Sequence, residues 1–126
     1  MDVSQLSERV NNNPVLVRKG RWCNTDFLLE VGAAQHVVCI RAGRVESVQS
    51  GARMPVWRFA LRAAAEDWAQ FWQPVPPPQF SDIFALVRWK KMRIEGDLQP
   101  LFANMLYIKD VLASLRGASD RAGGAA

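Results

Sequence analysis

Few residues in this 126-residue chain are of types that do covalent chemistry. His36 is the sole histidine and sits in the β-branched run His36-Val37-Val38-Cys39-Ile40-Arg41. A histidine in such a strand serves more often as a satisfied structural group than as a general base. Glu66 and Asp67 are neighbours in a helical stretch, so their side chains diverge and make a poor carboxylate pair. Asp97 could act as an acid, but it stands just before a helix, where capping explains an aspartate. Cys23 and Cys39 match neither a disulfide framework nor a metal-ligand spacing and read as reduced, packed thiols. No glycine-rich phosphate loop, nucleophile elbow or metal motif occurs. The expectation is a protein that is not an enzyme and carries no cofactor and no metal.

The apolar residues say more. From Met92 to Gly117 the chain reads as a short strand (Met92, Ile94), a turn at Glu95-Gly96-Asp97 and one long helix. Asp97 can cap that helix, Pro100 fits its first turn, and Arg116 with Gly117 suits its end. At about 100° per residue, Leu98, Leu101, Phe102, Met105, Leu106, Ile108, Val111, Leu112 and Leu115 cover an arc of roughly 220°. A surface helix needs a stripe only somewhat wider than ~100°. A sheet can cover one side; protein, a second subunit or an apolar ligand must cover the other. Tyr107 and Asn104, at the border of the arc, could orient such a ligand.

Before this stretch, Ser4 can cap a helix over residues 4–12 with Leu6 and Val10 on one side, ended by Asn11-Asn12-Asn13-Pro14. Residues 15–22 read as extended. Phe27–Val31, His36–Arg41, Arg44–Val48 and Val56–Arg62 read as strands of an antiparallel meander. In the last of these, Trp57, Phe59 and Leu61 alternate with Arg58 and Arg62, which places the two sets on opposite faces. Ala63–Trp72 reads as a helix with Trp68, Phe71 and Trp72 at i, i+3 and i+4, a spacing more often core than ligand wall. The run Pro74-Val75-Pro76-Pro77-Pro78 stops it. A second helix, from Ile83 to about Lys91 and capped by Ser81 or Asp82, turns Phe84, Leu86 and Val87 inward. The fold expected is α+β, with all helices on the one apolar face of the sheet.

Length fits one domain over residues 1–117, followed by a disordered tail over 118–126. The net charge of +4 comes from residues 1–62, which hold nine Lys/Arg against five Asp/Glu, whereas residues 63–126 hold seven of each. That excess favours an anionic surface or headgroup but is too scattered for nucleic acid. Arg58, Arg62, Arg88 and Lys91 could meet a phosphate or carboxylate, although solvated charge is the commoner role. No apolar run approaches the ~20 residues that span a bilayer, so a cytoplasmic location is expected.

This order of elements resembles the sterol carrier protein-2 (SCP-2) family, roughly from Phe27 to Leu115. The resemblance rests on the meander, the strand Trp57-Arg58-Phe59-Ala60-Leu61, the helix containing Trp68, and Met92-Arg93-Ile94-Glu95-Gly96-Asp97 running into an apolar helix. It implies a five-stranded, mostly antiparallel sheet covered on one face by helices, with a hydrophobic tunnel between them. It also implies binding, without chemistry, of a fatty acyl chain, acyl-CoA, phospholipid or sterol, together with transient membrane-surface contact. The ligand wall would then comprise Trp57, Phe59, Trp68, Phe71, Phe84, Phe102, Met105, Leu106 and Ile108. The C-terminal Gly-Gly-Ala-Ala is not the Ser-Lys-Leu-type peroxisomal signal. Two other classes compete. One is a small cone-shaped α+β enzyme of steroid-isomerase or dehydratase type, using His36 with Asp67 or Asp97. The other is an accessory domain whose greasy helix is buried in a homodimer or against an enzyme partner.

Overall fold

The computed structural model describes residues 3–51 and 56–116; the expected tail, 118–126, and the Gly117 stop lie outside them. A 3₁₀ turn (Val3–Gln5) leads into α1 (Leu6–Asn11) and α2 (Pro14–Lys19), followed by β1 (Asn24–Val31), β2 (Ala34–Arg41), β3 (Arg44–Ser50) and β4 (Phe59–Ala63). Then come α3 (Ala65–Phe71), α4 (Ile83–Arg88), β5 (Met92–Gly96), α5 (Gln99–Ala103) and α6 (Met105–Ala113). No described helix is long and apolar enough to cross a membrane.

The five strands form one mixed sheet in the order β3-β2-β1-β4-β5. The first three make the expected antiparallel meander, with tight turns at Gly32 (φ 62) and at Ala42-Gly43 (φ 52 and 78). β4 departs from expectation. It joins the far side of β1, in parallel, with Phe27 opposite Phe59 and Leu29 opposite Leu61. β3 and β4, consecutive in sequence, are therefore linked across two strand positions, β2 and β1, and β5 closes antiparallel on β4.

That passage corrects the alternation read from residues 57–61. Residues 56–58 are irregular, and pairing starts at Phe59. Phe59 and Leu61 face the helices and are fully buried. Trp57 instead packs on Leu28, Val37 and Ala60 of the opposite face, with the Arg62 guanidinium 5.6 Å from its ring centre. Arg58 holds the crossing: its N–H donates to the Asp26 carbonyl, and its own carbonyl accepts from Asp97 N–H.

Two helical expectations also change. Residues 14–19 are helical rather than extended, because Asn13 accepts from Leu16 N–H and Pro14 supplies a helical φ at the first position. The proline that ends α1 thus opens α2. The long final helix is broken at Asn104 (φ −124, ψ 30), where the side-chain amide donates to the Pro100 carbonyl. The helix start shifts by one residue: Leu98, not Asp97, is the N-cap of α5, and Asp97 accepts from Gln99 N–H from the position before it. α4 stops at Arg88, with Trp89 as its cap and Lys90 left-handed (φ 60). Ile83 and Leu86 point inward from it, whereas Phe84 is half-buried and Val87 exposed.

The core lies between the sheet face formed by Phe27, Leu29, Val38, Ile40, Phe59 and Leu61 and the buried sides of α1, α2, α3, α4 and α6. Gly96 limits how β4 and β5 approach. At φ 93, a Cβ there would lie 2.6 Å from the Arg58 carbonyl and 2.9 Å from the Trp57 ring. Gly96→Ala should therefore cost about 2 kcal/mol in unfolding free energy, measured by urea denaturation; wild-type stability would refute the fit described.

Candidate functional site

The helical layer is organised by α3. Its Trp68 and Trp72 stack at 4.8 Å, and Phe71 meets Trp68 edge-on at 5.5 Å. All three are buried. Each indole is oriented by a main-chain carbonyl: Trp68 Nε1 donates to Glu30 at 2.8 Å and Trp72 Nε1 to Leu112 at 2.9 Å. On the sheet side, Phe27 and Phe59 stack at 5.2 Å. Tyr107 of α6 reaches the β2–β3 turn, donating its hydroxyl to the Gly43 carbonyl at 2.8 Å, and its ring fills the space left by Gly20. Burial pushes the phenol of Tyr107 and the thiol of Cys23 above their ordinary pKa values, the latter to about 11.

Beside this closed centre runs a less tightly shut seam between α4 and α5–α6. Asp82 caps α4 by accepting from Ala85 N–H, and its other oxygen lies 3.2 Å from Lys109 Nζ on α6. Phe84, one residue into α4, stacks on Phe102 of α5 with ring centres 6.2 Å apart. Lys109 Nζ lies 5.9 Å from the Phe84 ring centre. Arg116 ties the end of α6 across to the loops by donating Nε to the Phe71 carbonyl at 2.9 Å and Nη2 to the Ser81 carbonyl. A cavity of about 220 Å³ lies here, lined by Phe71, Ser81, Asp82, Ile83, Lys109, Asp110, Ala113 and Arg116.

Charge in the seam is balanced. Burial works against the ionisation of Asp82, but the N–H groups of Ala85 and Phe84 and the Lys109 ammonium outweigh it, holding the carboxyl below its ordinary range. Burial lowers the Arg116 pKa, partly offset by the Asp82 charge. On the other flank of α6 a second cavity, of about 260 Å³, is lined by Asn13, Val15, Leu16, Lys19, Asp110, Ala113 and Ser114.

The residues expected to wall a ligand divide between these settings. Phe59, Trp68, Phe71 and Ile108 are in the closed centre. Phe84 and Met105 are half-buried, while Phe102 is 53% and Leu106 68% exposed. Trp57 is on the far face of the sheet. The expected orienting groups, Asn104 and Tyr107, both bond main-chain carbonyls. Among the expected headgroup cations, Arg62 pairs with Glu30 at 2.9 Å, Arg58 with Asp97 at 3.5 Å, and Lys91 lies 4.0 Å from Asp67. Arg88 is exposed on α4. Lys109 and the Arg116 contacts escape a reading of the sequence, because their partners lie far along the chain.

The acid-base candidates have separate partners. His36 Nδ1 is 2.6 Å from Ser50 Oγ, while Asp67 and Asp97 face Lys91 and Arg58. Among the described residues, no group of three His, Cys, Asp or Glu could hold a metal ion.

The architecture is that of an SCP-2-like domain. The crystal structure of sterol carrier protein 2 superposes with a TM-score of 0.73 at 10% identity, over 90% of this chain and 92% of that one. A conserved hypothetical protein from Thermus thermophilus, described as possibly a sterol carrier protein, gives 0.66 at 9% identity, over 90% and 85%. A UbiJ-SCP2 ubiquinone synthesis protein gives 0.59 at 18% identity, over 86% and 90%. No family model matches the sequence, and no curated protein matches it.

Asp82 offers a test of the seam. Its folded-state pKa is depressed, so its stabilising contribution is complete above its ordinary value of 3.8 and is lost as the pH falls through the lower folded-state value. Wild type should therefore melt above Asp82→Asn at neutral pH, with the gap closing in acid. A gap that persists unchanged through that window would show that the charge is not what matters.

Proposed function

We propose that the chain is a non-catalytic carrier that binds one apolar lipid, such as a fatty acyl chain, acyl-CoA, phospholipid or sterol, through the α4/α5–α6 seam. The observation that supports it is the stacked, partly open pair Phe84–Phe102, flanked by half-buried Met105 and exposed Leu106, directly beside the aromatic centre. Two apolar side chains this exposed, bordered by cations, suit a guest with an apolar chain and a polar head. Lys109 and Arg88 would face the head, and parting of the Phe84–Phe102 stack would admit the tail towards Phe71 and Ile108. Sterol carrier protein 2 shares the fold, and its name agrees with this class of ligand. The domain acts in the cytoplasm on this reading.

The test is native mass spectrometry of freshly purified protein, combined with titration by a fatty acyl-CoA. A lipid adduct and quenching of tryptophan emission are expected, and Phe102→Asp with Leu106→Glu should weaken binding by about tenfold or more. Absence of both adduct and quenching would overturn the carrier function. The exposure of Leu106 also favours a second use, contact with another copy or an enzyme partner. If the chain pairs through this surface, Leu106→Glu should convert a dimer into a monomer in solution; a wild-type mass already monomeric would dismiss self-association.

A further inference from the structure

The two edges of the sheet are treated differently. On the β3 side the Asn11 side chain stands in for a neighbouring strand: its amide donates to the Val45 carbonyl and its oxygen accepts from Val45 N–H. On the β5 side no such plug occurs among the described residues. Hydrogen-bond parity shows which groups β5 leaves outward. The Ala63 carbonyl accepts from Gly32 N–H on the β1 side, so Ala60 and Arg62 are the β4 residues turned towards β5. Their partners are Glu95 and Arg93, and Asp97 N–H, donating to the Arg58 carbonyl, continues the alternation. Met92, Ile94 and Gly96 therefore direct their N–H and C=O groups away from β4, and no described residue bonds them there.

Charge along this edge is sorted by sign. Lys90, Lys91 and Arg93 come first, followed by Glu95 and Asp97. The Arg93 side chain is 74% exposed. Arg93–Glu95 at 3.3 Å and Arg58–Asp97 at 3.5 Å join exposed groups, and such pairs are weak and readily exchanged. Glu95 also lies 3.3 Å from Arg62, which is shared with Glu30, and Lys91 lies 4.0 Å from Asp67. An antiparallel copy of the strand reverses the order of signs. With a two-fold axis at Ile94, Ile94 stands opposite Ile94, Met92 opposite Gly96, Arg93 opposite Glu95 and Lys91 opposite Asp97. The register that matches the charges also matches the outward N–H and C=O groups.

We propose that β5 pairs antiparallel with β5 of a second copy about a two-fold axis at Ile94, joining the two five-stranded sheets into one. Charges on an edge strand usually discourage pairing. Sorted in this order, they oppose a parallel copy and favour an antiparallel one. The self-complementarity is what a two-fold interface requires. Lys90 (φ 60) and Gly96 (φ 93) bound the regular strand, so the contact is short. Trp89, 54% exposed and three residues ahead of β5, offers an apolar anchor beside it. A contact this small gives a weak, concentration-dependent dimer. The edge belongs to the sheet, so the proposal depends neither on a lipid in the α4 seam nor on Leu106.

The experiment is sedimentation velocity of the full chain from low to high micromolar concentration, with amide exchange at Ile94 followed by NMR. A monomer–dimer equilibrium is expected, and Ile94 N–H should gain protection as the dimer fills. Arg93→Glu and Glu95→Arg should each weaken association by about tenfold or more, because each sets like charges opposite one another at two symmetric places. Mixing the two variants in equal amounts should restore pairing, since their charges are complementary again. Unchanged melting temperatures confirm that they fold, and the wild-type exchange at Ile94 is a test that needs no variant. A monomer at every concentration, or a dimer in which Ile94 exchanges freely, would overturn the proposal. Survival of the dimer in both charge variants would do the same, and its loss in Leu106→Glu would then place the contact on α6. Protection of Ile94 only when a different protein is added would give the edge to a foreign strand and likewise end the proposal.

Discussion

The hydrogen bond from the Trp72 indole to the Leu112 carbonyl couples the two halves of the helical layer, and much of the structure follows from it. The last turn of α6 tightens, with Ser114 N–H bonding Val111 and Arg116 N–H bonding Ala113. Arg116 N–H would otherwise be the α-helical donor to Leu112, so tightening leaves that carbonyl to Trp72. A buried carbonyl left without a donor costs on the order of 1–3 kcal/mol. One turn earlier on α3, Trp68 makes the corresponding bond to Glu30 near the end of β1. α3 therefore fixes the sheet to α6 through two oriented indoles. The aromatic cluster is better explained by this polar pinning than by apolar volume alone.

The first three strands, the Asp82 cap and the helices α3 and α4 were legible because local rules set them, whereas Ser4 and Asp97, read as caps, give way to Gln5 and Leu98. Runs rich in β-branched residues, glycine at the hairpin turns, Asp82 at a helix start and the spacing of Trp68, Phe71 and Trp72 all act over a few residues. The pairing of β4 was not, since nothing local distinguishes a fourth meander strand from one that passes two neighbours. The face of Trp57 was lost with it: a period-two pattern assigns faces only where the strand is continuous, and pairing begins at Phe59. α2 was missed because Asn13-Pro14 was used as a stop signal, although the same two residues cap and start a helix. SCP-2-like order was nevertheless readable, because it depends on the succession of elements rather than on register.

The break at Asn104 changes how the apolar surplus of the final segment is used. On one straight helix, Phe102 and Leu106 would add to a single wide stripe. With α5 and α6 separate, the buried residues Tyr107, Ile108, Val111, Leu112 and Leu115 span about 140°, a normal width for one packed face. Phe102 is released towards α4, where it stacks on Phe84, and Leu106 is left outside. Most of the expected wall divides into a closed centre and an open seam for this reason, and only contacts between helices distant in sequence, such as Lys109–Asp82, define where the seam runs.

The opposite face of the sheet explains why these apolar demands converge on one side. Leu28, Val37 and Ala60 form a small patch there, and Trp57 covers it without any helix. Around it, Arg62 lies between Glu30 at 2.9 Å and Glu95 at 3.3 Å, with Arg93 beyond Glu95. These partly exposed charges keep that face in contact with water, so it needs no second helical layer. The apolar packing of the fold is thus concentrated on the helical side. There, beyond the shared core, α4 is held to α6 by the Asp82–Lys109 ion pair and to α5 by the Phe84–Phe102 stack, while Arg116 reaches the Ser81 carbonyl just before α4, and these are interactions that can yield without unfolding the sheet.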